Sequence, residues 1–223
     1  MVSLFDILGP VMVGPSSSHT AGACRLGLMA RGILGGTPAS AVIRLHGSFA
    51  ATGAGHGTQQ ALLGGLLGFA PDDLRLKAAY QETAQAGLEY RFEEVDLGED
   101  AHPNSAVLQL RRERAVLEVQ GASIGGGRIL VTAIDGFHVA LGGDYHTLVV
   151  LTRDEPGTIA TIAGLFARRG VNVATIRADR TGRRKDALMT LEVDEPIGDD
   201  VLSALNQYDW LRWARRVPKI AGG

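Results

Sequence analysis

From residue 147 to residue 217 two hydrophobic periods succeed each other in a fixed order, and that order restricts the fold more than any other feature of the chain. Residues 147–152 are a short β-rich apolar run, broken by Asp154-Glu155-Pro156-Gly157. Ile159, Ile162, Ala163 and Phe166 then fall on one helical face, and Gly170 ends that helix. Residues 171–179 and 187–193 read as strands separated by a charged turn. In the second of them Ala187, Met189, Leu191 and Val193 alternate with Leu188, Thr190 and Glu192. Pro196 and Gly198 precede a short helix carrying Val201, Leu202 and Leu205, and residues 211–217 make a last strand. The order βαββαβ predicts one antiparallel sheet with both helices on one face. That leaves edge strands and a helix-free face, which a second copy of the chain is expected to cover.

The pattern begins afresh after Gly142-Gly143-Asp144-Tyr145, so two domains are expected, at residues 1–143 and 147–219. A chain of 223 residues, 45% of them hydrophobic, can fill both cores. The first part reads as mixed α/β and is punctuated by glycine. A helix is expected over about residues 21–34, a strand over 41–48, a helix over 59–67 and a polar helix over 71–87. Strands follow near Tyr90, Val107, Ala115 and Ile129. The run from Gly121 to Gly127 fits a glycine hairpin between two of those strands.

A formal charge of −2 with scattered basic residues gives no footprint for nucleic acid or an anionic membrane. The longest near-apolar stretch, 61–70, is about half of what a transmembrane helix requires. Residues 1–14 have no basic leader and carry Asp6, so they do not read as a secretory signal, and a cytoplasmic protein is expected. Cys24 is the sole cysteine, which excludes an intrachain disulfide and any zinc or iron-sulfur site built only from this chain's thiolates. No metal site is expected within the chain.

Three polar loops could carry chemistry. Ser16, Ser17, Ser18, His19 and Thr20 crowd hydroxyls and an imidazole into the turn that opens a helix, where unpaired N–H groups favour an anion such as a carboxylate. One hydroxyl would suffice as a cap, and this cluster follows a rigid Gly-Pro and exceeds that need. His56 sits in a second loop-to-helix junction between Gly55 and Gly57, where a ligand can approach the backbone closely, and it is a candidate general acid or base. The spacing Gly53, Gly55, Gly57 misses the dinucleotide fingerprint by one residue. In His102-Pro103-Asn104, the Asn104 amide can orient a carboxylate or make an Asx turn.

The run from Gly9 through Val13-Gly14-Pro15-Ser16-Ser17-Ser18-His19-Thr20 closely resembles the opening of iron-sulfur L-serine dehydratases. So do Gly47-Ser48-Phe49-Ala50, Thr52-Gly53-Ala54-Gly55-His56-Gly57-Thr58, His102-Pro103-Asn104 and Ser123-Ile124-Gly125-Gly126-Gly127, which look like that family's beta part. The remainder resembles a ferredoxin-like ACT domain, with Asp154-Glu155-Pro156-Gly157 as its first loop and Gly170-Val171-Asn172-Val173 opening its second strand. The resemblance implies a beta subunit that works with a separate alpha subunit holding a 4Fe-4S cluster, the two eliminating water and then ammonia from L-serine to give pyruvate. It implies that Ser16, Ser17, Ser18, Thr20, Gly55 and Asn104 bind substrate and that His19 and His56 face the cluster, one serving as base. It further implies homodimerisation through the ACT domain. If that domain senses an amino acid, the ligand is expected between the Pro156-Gly157 turn and Asn172, where free N–H groups at the helix start can receive a carboxylate and the Asn172 amide can both donate and accept. The first domain also resembles a serine-sensing unit found beside ACT domains in some phosphoglycerate dehydrogenases, which would make the chain a non-catalytic sensor.

Overall fold

The computed structural model describes residues 11–53 and 55–220, so Gly9 and Pro10 of the first motif, most of the apolar N-terminal stretch and Ala54 of the second motif lie outside it. The chain opens with a π-helical turn, Ser17–Gly22, that runs directly into helix α1, Ala23–Leu34. Gly35, at φ +88°, closes α1 by donating its N–H to the Arg31 carbonyl at 3.0 Å. Strand β1, Ser40–Leu45, follows, then helices α2, Gly47–Thr52, and α3, Thr58–Leu67. The expected strand over 41–48 therefore ends early. Gly47 turns the backbone to φ +55°, where a Cβ would come within 2.7 Å of the Pro103 carbonyl oxygen, and the residues after it wind into α2. The expected helix over 71–87 is two pieces, a 3-10 turn at Leu74–Ala78 and helix α4, Ala79–Gln85.

Among the described residues six strands make the first sheet: β1, β2 (Glu89–Glu94), β3 (Ser105–Arg112), β4 (Ala115–Gly125), β5 (Arg128–Ile134) and β6 (Phe137–Leu141), in the order β2-β1-β3-β4-β5-β6. Only the β1–β2 pair is parallel. Leu26, Met29 and Ile33 of α1 are buried in one core with Leu108, Val119 and Val131 of the sheet. Helix α3 lies against α1 so closely that a Cβ on Gly27 would come within 2.5 Å of the Leu62 carbonyl, and one on Gly65 would come within 2.1 Å of the Cys24 carbonyl. Only glycine permits that approach, and it brings the loops that open the two helices side by side.

The second sheet has the order β10-β7-β9-β8, all antiparallel, from β7 (His146–Arg153), β8 (Val173–Arg180), β9 (Asp186–Val193) and β10 (Leu211–Val217). Helices α5, Thr158–Ala167, and α6, Asp199–Leu205, cover one face, where Leu148, Val150, Met189 and Leu191 meet Ile162, Phe166, Val201 and Leu205. This is the βαββαβ arrangement read from the sequence. The other face is not bare: Val149, Leu188 and Val217 belong to the core of the first unit, and a Cβ on Gly32 of α1 would reach within 2.7 Å of Val217. The expectation that a second copy must cover this face is thus corrected, because α1 already packs on it. Glu192, which alternates with the inward residues of β9 on the same side as Leu188, is buried as well.

Candidate active site

Five segments far apart in sequence meet around the π-helical turn. Such turns are rare and concentrate at functional sites, because widening one turn of helix re-aims its side chains. Ser16 caps the turn, its Oγ accepting the His19 N–H at 3.1 Å. Gly14, at φ +129°, folds the preceding loop back onto Thr20, where a Cβ would lie 2.7 Å from the threonine side chain. Thr20 donates its hydroxyl to the His56 carbonyl at 3.2 Å, tying the first motif to the second. Gly22 meets the glycine-rich hairpin, with Ser123 Oγ only 2.0 Å from where a Cβ would stand. Ser123 in turn donates its N–H to the Asn104 carbonyl at 3.0 Å.

His19 and His56 stand with ring centroids 5.3 Å apart, and Phe49 stacks edge-on against His19 at 5.4 Å. Nε2 of His19 is 3.1 Å from Ser48 Oγ and 3.1 Å from Thr52 Oγ1, while Nδ1 is 3.4 Å from Ser16 Oγ. Burial, and then the neighbouring His56 imidazole, hold His19 below the usual histidine range, against an opposing hydrogen bond to the Ser48 main chain. A neutral imidazole at neutral pH can accept a proton. His56 is exposed, its Nδ1 3.2 Å from the Thr52 carbonyl.

A cavity of about 220 Å³ opens beside His56, lined by Gly14, Thr20, Gly55, His56, Gln60 and Lys77 among others, with His19 outside its lining. Of the residues expected to bind substrate, Gly55 and Thr20 line it, whereas Ser16 caps the π-helical turn and Ser17 and Ser18 lie within that turn. Asn104 reaches the cluster through its main chain, its own N–H donating to His102 Nδ1 at 3.1 Å. The sequence motifs include Ser48, Thr52 and Ser123 without giving them a role, and Lys77 is in none of them. The four-residue spacing of Ser48 and Thr52 is a one-face helix signal, visible once residues 47–52 are read as a helix instead of a strand end. Lys77 has no local signature.

The donor set does not fit a resident iron-sulfur cluster. Cys24 is wholly buried, its thiol donates to the Phe69 carbonyl at 3.1 Å, and burial pushes its pKa up to about 12, so it offers no thiolate.

In the second unit, Pro156 and Gly157 line a larger cavity of about 750 Å³ with Asp154, Thr158, Arg180 and Met189. Asn172 is not there. It lies at the opposite end of β8 from Arg180, its amide donating to Asp194 at 2.8 Å, so within one chain the three expected effector residues are not brought together. No helix among the described residues is long and apolar enough to cross a membrane.

The fold and site define a class of two-unit α/β protein: a histidine pair at the meeting point of two glycine-crossed helices, followed by an ACT-type sheet. A family profile described as serine dehydratase beta chain matches residues 3–133, and one described as ACT domain matches residues 146–209. The chain is 43% identical over 205 residues to a probable L-serine dehydratase beta chain of Bacillus subtilis, covering 92% of this chain and 93% of that one. It is 38% identical over 204 residues to the L-serine dehydratase beta chain of Peptoniphilus asaccharolyticus, covering 91% and 92%. Over 97 residues it is 34% identical to D-3-phosphoglycerate dehydrogenase of Synechocystis, covering 44% of this chain and 18% of that one. The chain belongs to the serine dehydratase beta chain family.

Proposed function

We propose that this chain is the beta subunit of an L-serine dehydratase and that, with an alpha subunit carrying a 4Fe-4S cluster, it converts L-serine to pyruvate and ammonia in the cytoplasm. The observation that carries the reading is the approach of His19 and His56 to 5.3 Å where the chain's serine dehydratase motifs converge. Serine's α-proton is weakly acidic and its β-hydroxyl leaves poorly, so elimination needs a base on one side and a Lewis acid on the other. The cluster, bound by the alpha subunit's thiolates, supplies the Lewis acid. This chain supplies the rest: His19, kept neutral by burial, or His56 takes the α-proton, and the exposure of His56 leaves the pair open towards a partner surface. Thr20, Gly55 and the Lys77 cation bound the cavity in which the substrate carboxylate would sit, with Ser16, Ser17 and Ser18 shaping the turn and Asn104 holding the hairpin.

The division into units at residues 1–143 and 147–219 is supported by the separate sheets ending at Leu141 and beginning at His146. The ACT unit is proposed to bind an amino acid effector at Pro156 and Gly157 and to join two copies, with no nucleic acid or membrane among its partners. Among the described residues β8 pairs within its sheet only with β9 and is largely exposed, with Asp179 near its end accepting the His138 N–H at 2.8 Å. An antiparallel β8-to-β8 pairing centred on Ile176 would set Asn172 of a second copy beside Arg180, and hence beside the Pro156-Gly157 cavity, which reunites the three effector residues across the pair.

The test is anaerobic co-expression with the cysteine-bearing alpha chain and assay of pyruvate from L-serine, with each chain also assayed alone. Activity that needs both chains is the expected result. Turnover by this chain alone, or none by the pair with a loaded cluster, overturns the proposal.

A further inference from the structure

Thr52 touches both histidines, each through a different atom. Its hydroxyl lies 2.8 Å from the Ser48 carbonyl, one turn back in α2, and 3.1 Å from Nε2 of His19. A threonine hydroxyl has one proton, and a carbonyl oxygen can only accept. The proton is therefore given to Ser48, and Thr52 Oγ1 meets His19 as an acceptor, so Nε2 of His19 carries the hydrogen. Ser48 Oγ, 3.1 Å from the same nitrogen, stands beside Thr52 Oγ1 at 3.5 Å and completes the acceptor pair. The main-chain carbonyl of Thr52 lies 3.2 Å from Nδ1 of His56 and accepts from it, which puts the hydrogen of that ring on Nδ1. The same carbonyl also receives the N–H groups of Gly55 and His56 at 3.1 and 3.2 Å, so the loop carrying His56 is pinned to it.

We infer that Thr52, with Ser48 beside it, is a positioning residue that sets His19 and His56 in opposite tautomers and so decides which ring nitrogen of each takes up a proton. The nitrogens left unprotonated are Nδ1 of His19, facing Ser16 Oγ at 3.4 Å, and Nε2 of His56 on its exposed side. A neutral imidazole turned to the other tautomer would present a donor where an acceptor is needed. The kinetic consequence rests on the proposed dehydratase function, but the tautomers are read without turnover.

The test uses full-length chain labelled with nitrogen-15 in histidine, with the ring nitrogens observed by NMR above the titration range. The expected wild-type spectrum has His19 protonated at Nε2 and His56 at Nδ1. In Ser48→Ala/Thr52→Val, His19 loses both side-chain acceptors at Nε2, retaining there only the Ser48 main chain, and keeps Ser16 at Nδ1, so its Nδ1–H population rises. His56, held by a main-chain carbonyl, stays as it was and reports that the loop is intact. Thr52→Ser restores the wild-type pattern. A wild-type His19 protonated at Nδ1, a wild-type His56 protonated at Nε2, or a double variant whose His19 is unchanged overturns the inference. In the reconstituted two-chain enzyme, Thr52→Val lowers kcat by about ten- to a hundredfold with little change in KM, and Thr52→Ser recovers it. Tautomers that shift as expected while kcat does not would instead refute the role of His19 as proton carrier and leave the assignment of the tautomers standing.

Discussion

His19 owes its chemistry to two neighbours of different kinds. Burial lowers its pKa first, and the nearby imidazole of His56 lowers it further. His56→Gln keeps the bulk of the ring partly in place and removes the like charge, so the His19 pKa should rise towards, without reaching, its ordinary value. An NMR titration of the His19 ring proton checks this, and a midpoint that stays put would assign the whole depression to burial. The sign for stability follows from the same shift. Below 6.5 the unfolded chain takes up a proton that the folded His19 resists, so this residue's contribution improves as pH rises through the window between its lowered pKa and 6.5. His19→Ala and His56→Ala should each lower kcat of the two-chain enzyme by at least about a hundredfold, the scale of a positioned acid or base. Near-normal rates with circular dichroism unchanged would make both residues structural. The two histidines themselves were legible from their loops. The hydroxyls that hold His19 were not, because Ser48 and Thr52 acquire meaning only when α2 is known to be helical and His19 is known to lie over it.

Among the elements, the π-helical turn does most to shape the site, and no sequence signal announced it. The hydroxyl cluster foretold a helix start near residue 21, whereas the chain is already wound from Ser17. The cause is tertiary: Gly22 presses on Ser123 of β4, and Thr20 is drawn to the loop before α3. Gly22→Ala should force Ser123 and the end of β4 away, at a cost of about 1–3 kcal/mol, the range for overpacking a close contact. Thermal unfolding measures it, and Gly22→Ala/Ser123→Gly should recover part of the loss. Equal losses in the single and double variants would mean that the turn depends on something other than this contact. The strands of the ACT unit were far more readable, because their alternation and turn residues are local; β10 matches its expected span of 211–217. Strand β6 escaped notice for the opposite reason. Phe137 and Leu141 are buried ends of a five-residue run whose middle is partly exposed, so its pairing with β5 is set by the hairpin rather than by an apolar pattern.

At the scale of the whole molecule, α1 is the bridge. It begins at the π-helical turn that bears His19 and ends against β10 of the ACT sheet, so the second unit is built onto the helix that opens the site. Burial of Val149, Leu188 and Val217 against the first unit means that an isolated ACT fragment would bare apolar surface that the intact chain hides, and its association would say little about the native pair. The informative measurements are on the full chain. If two copies pair through β8, Ile176→Arg should convert a dimer to a monomer in analytical ultracentrifugation, since Ile176 is exposed at the centre of that edge. Each effector site would then draw Gly157 from one copy and Asn172 from the other. Gly157→Val should block the cavity, where the backbone stands at φ +91° and a branched side chain is strained. Asn172→Ala should weaken L-serine binding although it touches no part of that cavity within its own chain. The two variants mixed and allowed to exchange should regain binding, because each mixed pair contains one site with both residues intact and one with neither. Calorimetric titration with L-serine reads all three samples. Recovery in the mixture is the outcome expected of a shared site, whereas full binding by Asn172→Ala alone would confine the ligand to a single chain.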